Sequence, residues 1–293
     1  MHLHRLYGLV VAASRALPAT AASGSPDIVI HEHPFRRPSS LPTNSQGYSY
    51  ERLANGEVHV SWSDLFDFVV GADGARIEVY ADASSQSETV YTYLITQLVS
   101  VALLQKGIES LHASAVAVAG KAVVLIGDSG YGKSTLTAAL VQQGAQLITD
   151  DMLVLEERDG SYQAAPGARR LKLAPETAGL LGITWHGVPM ADESGKFVYA
   201  VEENQCAVGN TPVDRIVLLT PLAPRAAVEP VSRADATRAV LGATFNPLHT
   251  EPARLTRLLH NAERIARGTR IVRLHVPRDL TAIGSVAALI TKS

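Results

Sequence analysis

A single cysteine, Cys206, stands in 293 residues, which excludes an intrachain disulfide and a cysteine-rich metal site. Cys206 therefore reads as a small buried hydrophobe in a protein of a reducing compartment. Neither sign of charge prevails: Lys+Arg 26 against Asp+Glu 28 leaves no broad basic field for nucleic acid or an anionic membrane surface. No apolar run approaches the length of a membrane-spanning helix. Internal repeats are absent, and low-complexity sequence is confined to a Pro/Ala/Ser/Gly-rich stretch near the N-terminus. That stretch imitates a secretory signal, with His2, His4 and Arg5 ahead of apolar residues 7–13. Its apolar run is short and is interrupted at Arg15 and Pro18, so it is expected to stay in the folded protein. What the chain has in quantity is hydrophobic residues, 46%, enough for a substantial core in one large domain or two modest ones.

The most informative stretch is Gly127, Asp128, Ser129, Gly130, Tyr131, Gly132, Lys133, Ser134 and Thr135, which fits G-x-x-x-x-G-K-[ST] at every position. Apolar residues 122–126 before it read as a buried strand. Residues 134–143 after it read as a helix, with Leu136, Leu140 and Val141 on one face and Gly144 as the stop. Glycines let the backbone curl until successive N–H groups point into one concavity, and the helix that follows adds its free N–H groups and positive dipole end. Lys133 then bridges the outer phosphates, and the Ser134 hydroxyl can ligate a Mg²⁺ spanning two of them. The implied ligand is a nucleoside triphosphate. An ATP user belongs where ATP is plentiful, so a cytoplasmic protein is expected, with neither nucleic acid nor membrane as partner.

Around this loop the pattern is α/β. Residues 5–13 and 27–31 read as the first strands, and residues 33–44, with Pro34, Pro38 and Pro42, as an exposed connection. Segments 57–62, 65–70 and 75–81 are rich in β-branched and aromatic residues, with a hairpin turn over 71–74. The first 85 residues are thus expected to form a smaller, mostly antiparallel sheet, and residues 86–293 the nucleotide-binding domain. A helical stripe covers 87–106, and residues 114–118 and 122–126 form a hairpin into the loop. Further strands are expected at 145–149, 152–155, 215–220 and 270–275, and helices at 175–181, 234–243, 252–266 and 281–290. Residues 185–196 read as an excursion.

Asp150 and Asp151 end the strand that follows the loop helix. In parallel-type nucleotide sheets such a strand end lies beside the phosphates, so one carboxylate can hold Mg²⁺ while the other is free for proton chemistry. His112 precedes the hairpin, and by itself reads as a partly buried histidine satisfied by backbone.

Three pieces in order, Leu111-His112-Ala113-Ser114-Ala115-Val116, the glycine loop, and Leu147-Ile148-Thr149-Asp150-Asp151, resemble the catalytic domain of HPr kinase/phosphorylase. They are closer still to the stand-alone HPr-kinase-like proteins, some of which accompany lasso-peptide gene clusters and phosphorylate a serine of the precursor peptide. The tight likeness spans residues 108–156. Tyr7-Gly8-Leu9, Arg170-Leu171-Lys172-Leu173 and Lys196 extend it loosely. The resemblance implies a nucleotide core of the phosphoenolpyruvate carboxykinase type and an ATP- and Mg²⁺-dependent serine kinase acting on a peptide or small protein. It implies Asp151 as general base, His112 beside the acidic pair, Lys133 on the transferring phosphoryl group, and Ser134 with Asp150 on the metal. The family's Glu-x-Arg-Gly-x-Gly signature is replaced here by Gly167-Ala168-Arg169-Arg170-Leu171-Lys172-Leu173, without the glutamate, and Glu176 is a candidate substitute. Two other readings stay open: a kinase for free serine or a sugar, and a non-transferring regulatory ATPase. Assembly into a homo-oligomer is also left open.

Overall fold

The computed structural model describes residues 1–33, 48–62, 66–81, 88–190, 194–221, 223–246, 251–277, 279 and 282–292. The expected connection at 33–44 lies outside them apart from His33, as do Leu65, Ser87, Asp192, Glu193 and Thr281. The described chain forms two compact units, Met1–Glu109 with Val188–Gly195, and Ser110–Gly187 with Lys196–Ser293.

In the first unit, β1 (His2–Leu6), β2 (Leu9–Ala13), β3 (Thr20–Ala21), β4 (Ile28–His33), β5 (Tyr48–Arg52), β6 (Val58–Trp62), β7 (Phe66–Val70) and β8 (Arg76–Tyr80) share one sheet. Their order is β3-β1-β2-β4-β8-β7-β6-β5. The single strand expected over 5–13 is instead a hairpin, with Leu6 facing Leu9 across a two-residue turn. Tyr7 and Gly8 both take positive φ there, +54° and +86°. A tight turn matched to strand twist needs such angles, and Tyr-Gly hides one that Asn-Gly would announce. The sheet is also mixed, because β2 with β4 and β4 with β8 pair in parallel. The turn at 71–74 forms as expected, closed by the Gly71 N–H donating to the Arg76 carbonyl at 2.9 Å.

The helical stripe runs as α1 (Glu88–Tyr93), a π-helical turn (Leu94–Leu98) and α2 (Val99–Gln105). Val90, Leu94, Leu98, Val101 and Ala102 are buried, as their spacing requires. Tyr93 packs its ring 5.6 Å from that of Phe66 and 4.8 Å from that of Trp62, which brings the helix onto the apolar face of the sheet.

The second unit carries the strands β9 (Ala113–Val118), β10 (Lys121–Ile126), β11 (Gln146–Thr149), β12 (Leu155–Arg158), β13 (Ser161–Ala164), β14 (Arg170–Leu173), β15 (Gly187–Pro189), β16 (Phe197–Ala200), β17 (Thr211–Pro221), β18 (Ala227–Pro230) and β19 (Arg270–Val276). Of β15, Gly187 belongs to the second unit and Val188 and Pro189 to the first. Its helices are α3 (Lys133–Gln142), α4 (Pro175–Leu180), α5 (Arg233–Gly242), α6 (Pro252–Gly268) and α7 (Ile283–Lys292). The strand expected at 152–155 falls later, at β12. In the central sheet β11 pairs with β9, β9 with β10, β10 with β17 and β17 with β19. Residues of β10 alternate between two cores: Val123 and Leu125 pack in one with α3 and α7, while Ala122, Val124 and Ile126 pack in the other with α5 and α6. A strand covered on both faces must be apolar throughout, which is why 122–126 reads as a continuous hydrophobic run. The architecture is mixed α/β with several sheets.

Candidate active site

Register brings the sequence motifs together. β9 runs antiparallel to both β10 and β11, so β10 and β11 point the same way and end at the same edge of the sheet. Ile126, the last residue before the glycine loop, lies opposite Ala113, and Thr149, just before the acid pair, lies opposite Ala115. His112 precedes Ala113 and so stands at that edge, between loop and acids.

The loop turns through positive φ at Gly127 (+151°), Gly130 (+83°) and Gly132 (+87°), the last forming the N-cap of α3. No side chain caps that helix end, so its first N–H groups face the cleft without an internal acceptor. Lys133 is buried, and its ammonium donates to the carbonyls of Gly127 (2.7 Å) and Asp128 (3.2 Å). Burial lowers its pKa, opposed by the charges of Asp150, Asp151 and Asp128.

Asp150 is a junction. Its Oδ1 accepts from the hydroxyls of Ser114 at 2.6 Å and Ser134 at 3.0 Å, and its Oδ2 accepts from the backbone N–H of Lys172 at 3.3 Å. Burial pushes its carboxyl above the usual range, helped by the Asp151 charge, against the pull of these three donors. Asp151 behaves differently. Burial pushes it up too, but the ammonium of Lys172, with His112 and Arg170, outweighs burial and brings it down to about 2. Lys172 Nζ sits 2.6 Å from Asp151 Oδ2, and His112 Nδ1 lies 3.0 Å from the Asp151 carbonyl and 3.4 Å from its Oδ1. Asp151 itself takes φ +76°, a left-handed conformation that costs a non-glycine residue roughly 1–3 kcal/mol. The turn is secured by the Thr149 hydroxyl donating to the Met152 carbonyl at 2.7 Å.

A cleft of about 230 Å³ is lined by His112, Lys133, Ser134, Thr135, Asp150 and Asp151, together with Ser129, Gly130 and Gly132 of the loop. Gly127 and Asp128 do not line it and instead supply the carbonyls that hold Lys133. Tyr131 turns to a different cavity. Glu176, the candidate for the missing family glutamate, is exposed in the first turn of α4 and does not line the cleft. Sequence reasoning assigned no task to Ser114, Lys172, Thr177 or Lys196, yet Ser114 bonds Asp150 and the other three line the cleft. The alternation Arg170-Leu171-Lys172-Leu173 was the available signal for Lys172, because it puts two cations on one side of β14.

Among the described residues no three His, Cys, Asp or Glu side chains gather to hold a metal by themselves. The oxygens of Ser134 and Asp150, 3.0 Å apart, suit a hard cation that takes its remaining ligands from phosphate and water, as Mg²⁺ does.

The fold and site define a mixed α/β protein with a strand, glycine loop and helix facing an acid pair. Residues 105–184 match the family described as HPr Serine kinase C-terminal domain, and over this segment the chain is HPr kinase-like. It is 37% identical over 97 residues to an HPr kinase/phosphorylase of Lactobacillus delbrueckii subsp. bulgaricus, covering 33% of this chain and 30% of the relative. A second HPr kinase/phosphorylase, from Prosthecochloris aestuarii, is 33% identical over 96 residues, covering 33% of this chain and 27% of the relative. The chain thus matches about a third of the length of these curated relatives. The solved Hpr(Ser) kinase/phosphatase of Coxiella burnetii aligns with a TM-score of 0.32 and 15% identity, over 63% of this chain and 99% of that one.

Proposed function

We propose that the protein is an ATP-dependent kinase that transfers the γ-phosphoryl group to a serine hydroxyl of a peptide or small protein, with its catalytic residues within 86–293. The single observation that carries this reading is the division of labour in the acid pair. Asp150 is tied to Ser134 at the loop helix, where a metal carboxylate belongs, while Asp151 is held ionised at the cleft wall.

Phosphoryl transfer needs positioning and charge stabilisation more than covalent help from the protein. The N–H groups of 129–134 would cradle the β- and γ-phosphates. Lys133 would exchange its two carbonyl partners for phosphate oxygens and neutralise charge on the moving group. Ser134 and Asp150 would hold Mg²⁺, which supplies charge neutralisation between the outer phosphates. Asp151, being ionised at neutral pH, would accept the hydrogen bond of the incoming serine and take its proton as the new O–P bond forms. Lys172 and His112 fix the direction in which that carboxylate points. A regulatory ATPase would need the metal carboxylate but not a second one held ionised at the wall, so the geometry favours transfer. Such an enzyme would work in the cytoplasm, where ATP is abundant.

The test is mass spectrometry of serine-containing peptides and of free serine after incubation with ATP, Mg²⁺ and the protein. A phosphate on peptide serine is expected from wild type, and none from Asp151→Asn, which should still bind ATP. Equal transfer by the two proteins would reject the base assignment, and ATP hydrolysis without any phosphorylated acceptor would reject the kinase.

A further inference from the structure

The cleft has three walls, all within the second unit. The glycine loop and the start of α3 make the first, and His112 with Asp150 and Asp151 the second. The third is built from Lys172 and Leu173 of β14, Ala174 and Thr177 at the start of α4, and Lys196. Register explains the presence of Lys196. β14 and β16 pair antiparallel with Leu173 opposite Phe197, so the next pair along is Ala174 with Lys196. We propose that this third wall seats the acceptor, and that Lys196 selects a serine with a carboxylate-bearing residue beside it, so that the substrate is an acidic segment of peptide.

The inference rests on the reading of the site as a serine kinase and adds to it which serines are taken. Of the three lysines that line the cleft, two have tasks in that reading. Lys133 belongs to the phosphates, and Lys172 holds Asp151 through its 2.6 Å contact. Lys196 has neither task, yet its charge is felt inside the cleft. After burial, which lowers the Lys133 pKa most, the Lys196 charge acts in the same direction. Asp151 is tied to the third wall by Lys172, and the nucleotide belongs to the loop wall. An acceptor chain that brings its hydroxyl to Asp151 therefore lays its neighbouring residues along Leu173, Ala174, Thr177 and Lys196.

The chemistry of this wall discriminates between acceptors. Leu173 and Ala174 offer apolar footing to any main chain, so selection falls to charge. Three lysines line the cleft against two aspartates, and Arg170 adds a further cation felt by Asp151. A lysine or arginine beside the serine would meet Lys196 at close range, and like charges brought together suppress binding. A carboxylate in the same place would take a charge-assisted hydrogen bond from its ammonium. Lys196 is exposed at the rim, so the pair has the strength of a rim ion pair, about fivefold in affinity, and weakens as salt rises. The triphosphate would be met on its own wall by Lys133 and the loop N–H groups, which leaves Lys196 to the acceptor.

A positional peptide library tests this on the full chain with ATP and Mg²⁺. Each peptide is acetylated and amidated, carries one central serine, and has one flanking position fixed as Glu, Ala or Lys, with phosphate read by mass spectrometry. For wild type, Glu next to the serine is expected to raise kcat/KM about fivefold over Ala, through KM, and Lys to lower it. Lys196→Met should use the Glu and Ala peptides alike. Lys196→Glu should invert the order in favour of Lys while the KM for ATP moves by no more than about twofold, a reversal that a merely loosened cleft would not produce. Equal use of the three peptides by wild type, the wild-type order kept in both variants, or a raised KM for ATP in place of the peptide effect would overturn the acceptor assignment and leave the kinase standing. If wild type phosphorylates no peptide of the library, the kinase reading fails and the inference falls with it.

Discussion

Replacing Lys172 with methionine would keep the volume of the side chain and remove its charge. The backbone N–H bond to Asp150 would remain, so the change isolates the 2.6 Å contact with Asp151. The drop of the Asp151 pKa from 3.8 to about 2 is worth, at 1.36 kcal/mol per pH unit, about 2 kcal/mol of folding free energy at neutral pH. The sign follows from which state binds the proton first. As pH falls the unfolded chain protonates near 3.8 and the folded one near 2, so the contribution is complete above about pH 5 and disappears between these two values. Both side chains are mostly covered, 20% and 25% exposed, which puts the pair above the ~0–1 kcal/mol of a surface ion pair. Lys172 makes the largest of the favourable contributions to that drop and His112 and Arg170 share the rest, so a coupling of about 1–2 kcal/mol is expected in a double-mutant cycle of Lys172→Met with Asp151→Asn. Urea denaturation followed by fluorescence measures it. The chain has two tryptophans, Trp62 in one unit and Trp185 in the other, so a Trp62→Phe background reports the site-bearing unit alone. Coupling within about 0.3 kcal/mol of zero at pH 7, the level of residues that do not interact, would refute the reasoning.

Three further outcomes follow from the geometry. Ser114→Ala takes away the shortest bond to buried Asp150 and should destabilise the same unit by about 1.5–3 kcal/mol in the same urea assay, with ATP affinity reduced in calorimetry. Gly127→Ala puts a methyl 3.3 Å from the Leu219 carbonyl at φ +151°, so it should cost about 1–3 kcal/mol and slow any phosphotransfer measured by mass spectrometry. Burial pushes the Cys206 thiol up to about 11, so iodoacetamide at pH 8 should modify it slowly in the folded protein and quickly in urea, followed by intact mass.

Much of the site was legible because its chemistry is local in sequence. A glycine loop followed by Lys133 and Ser134 needs only consecutive residues, and continuous apolar strands such as 122–126 announce a sheet covered on both faces. Features that depend on remote pairing were not legible. The Tyr7-Gly8 turn uses residues that carry no strong hairpin signal, so two strands read as one. Parallel pairing of β4 with β2 and β8 leaves no mark on alternation. The attachment of Lys172 to both acids depends on where β14 is laid against the end of β11, which spacing along the chain does not encode. That Glu176 lies outside the cleft lining was hidden for the same reason: proximity in sequence said nothing of which way the first turn of α4 faces.

β9 contributes Ser114 to the acid pair and separates β10 from β11, which makes it a ruler as well as a wall. Side chains alternate along it, so a slip of one residue against either neighbour would swing Ser114 to the far face and strand Asp150 without its hydroxyl. Larger side chains at buried Ala115 or Ala117 should therefore surface in assays as defects of chemistry. A search for loss-of-function variants in this protein would do well to sequence that strand first.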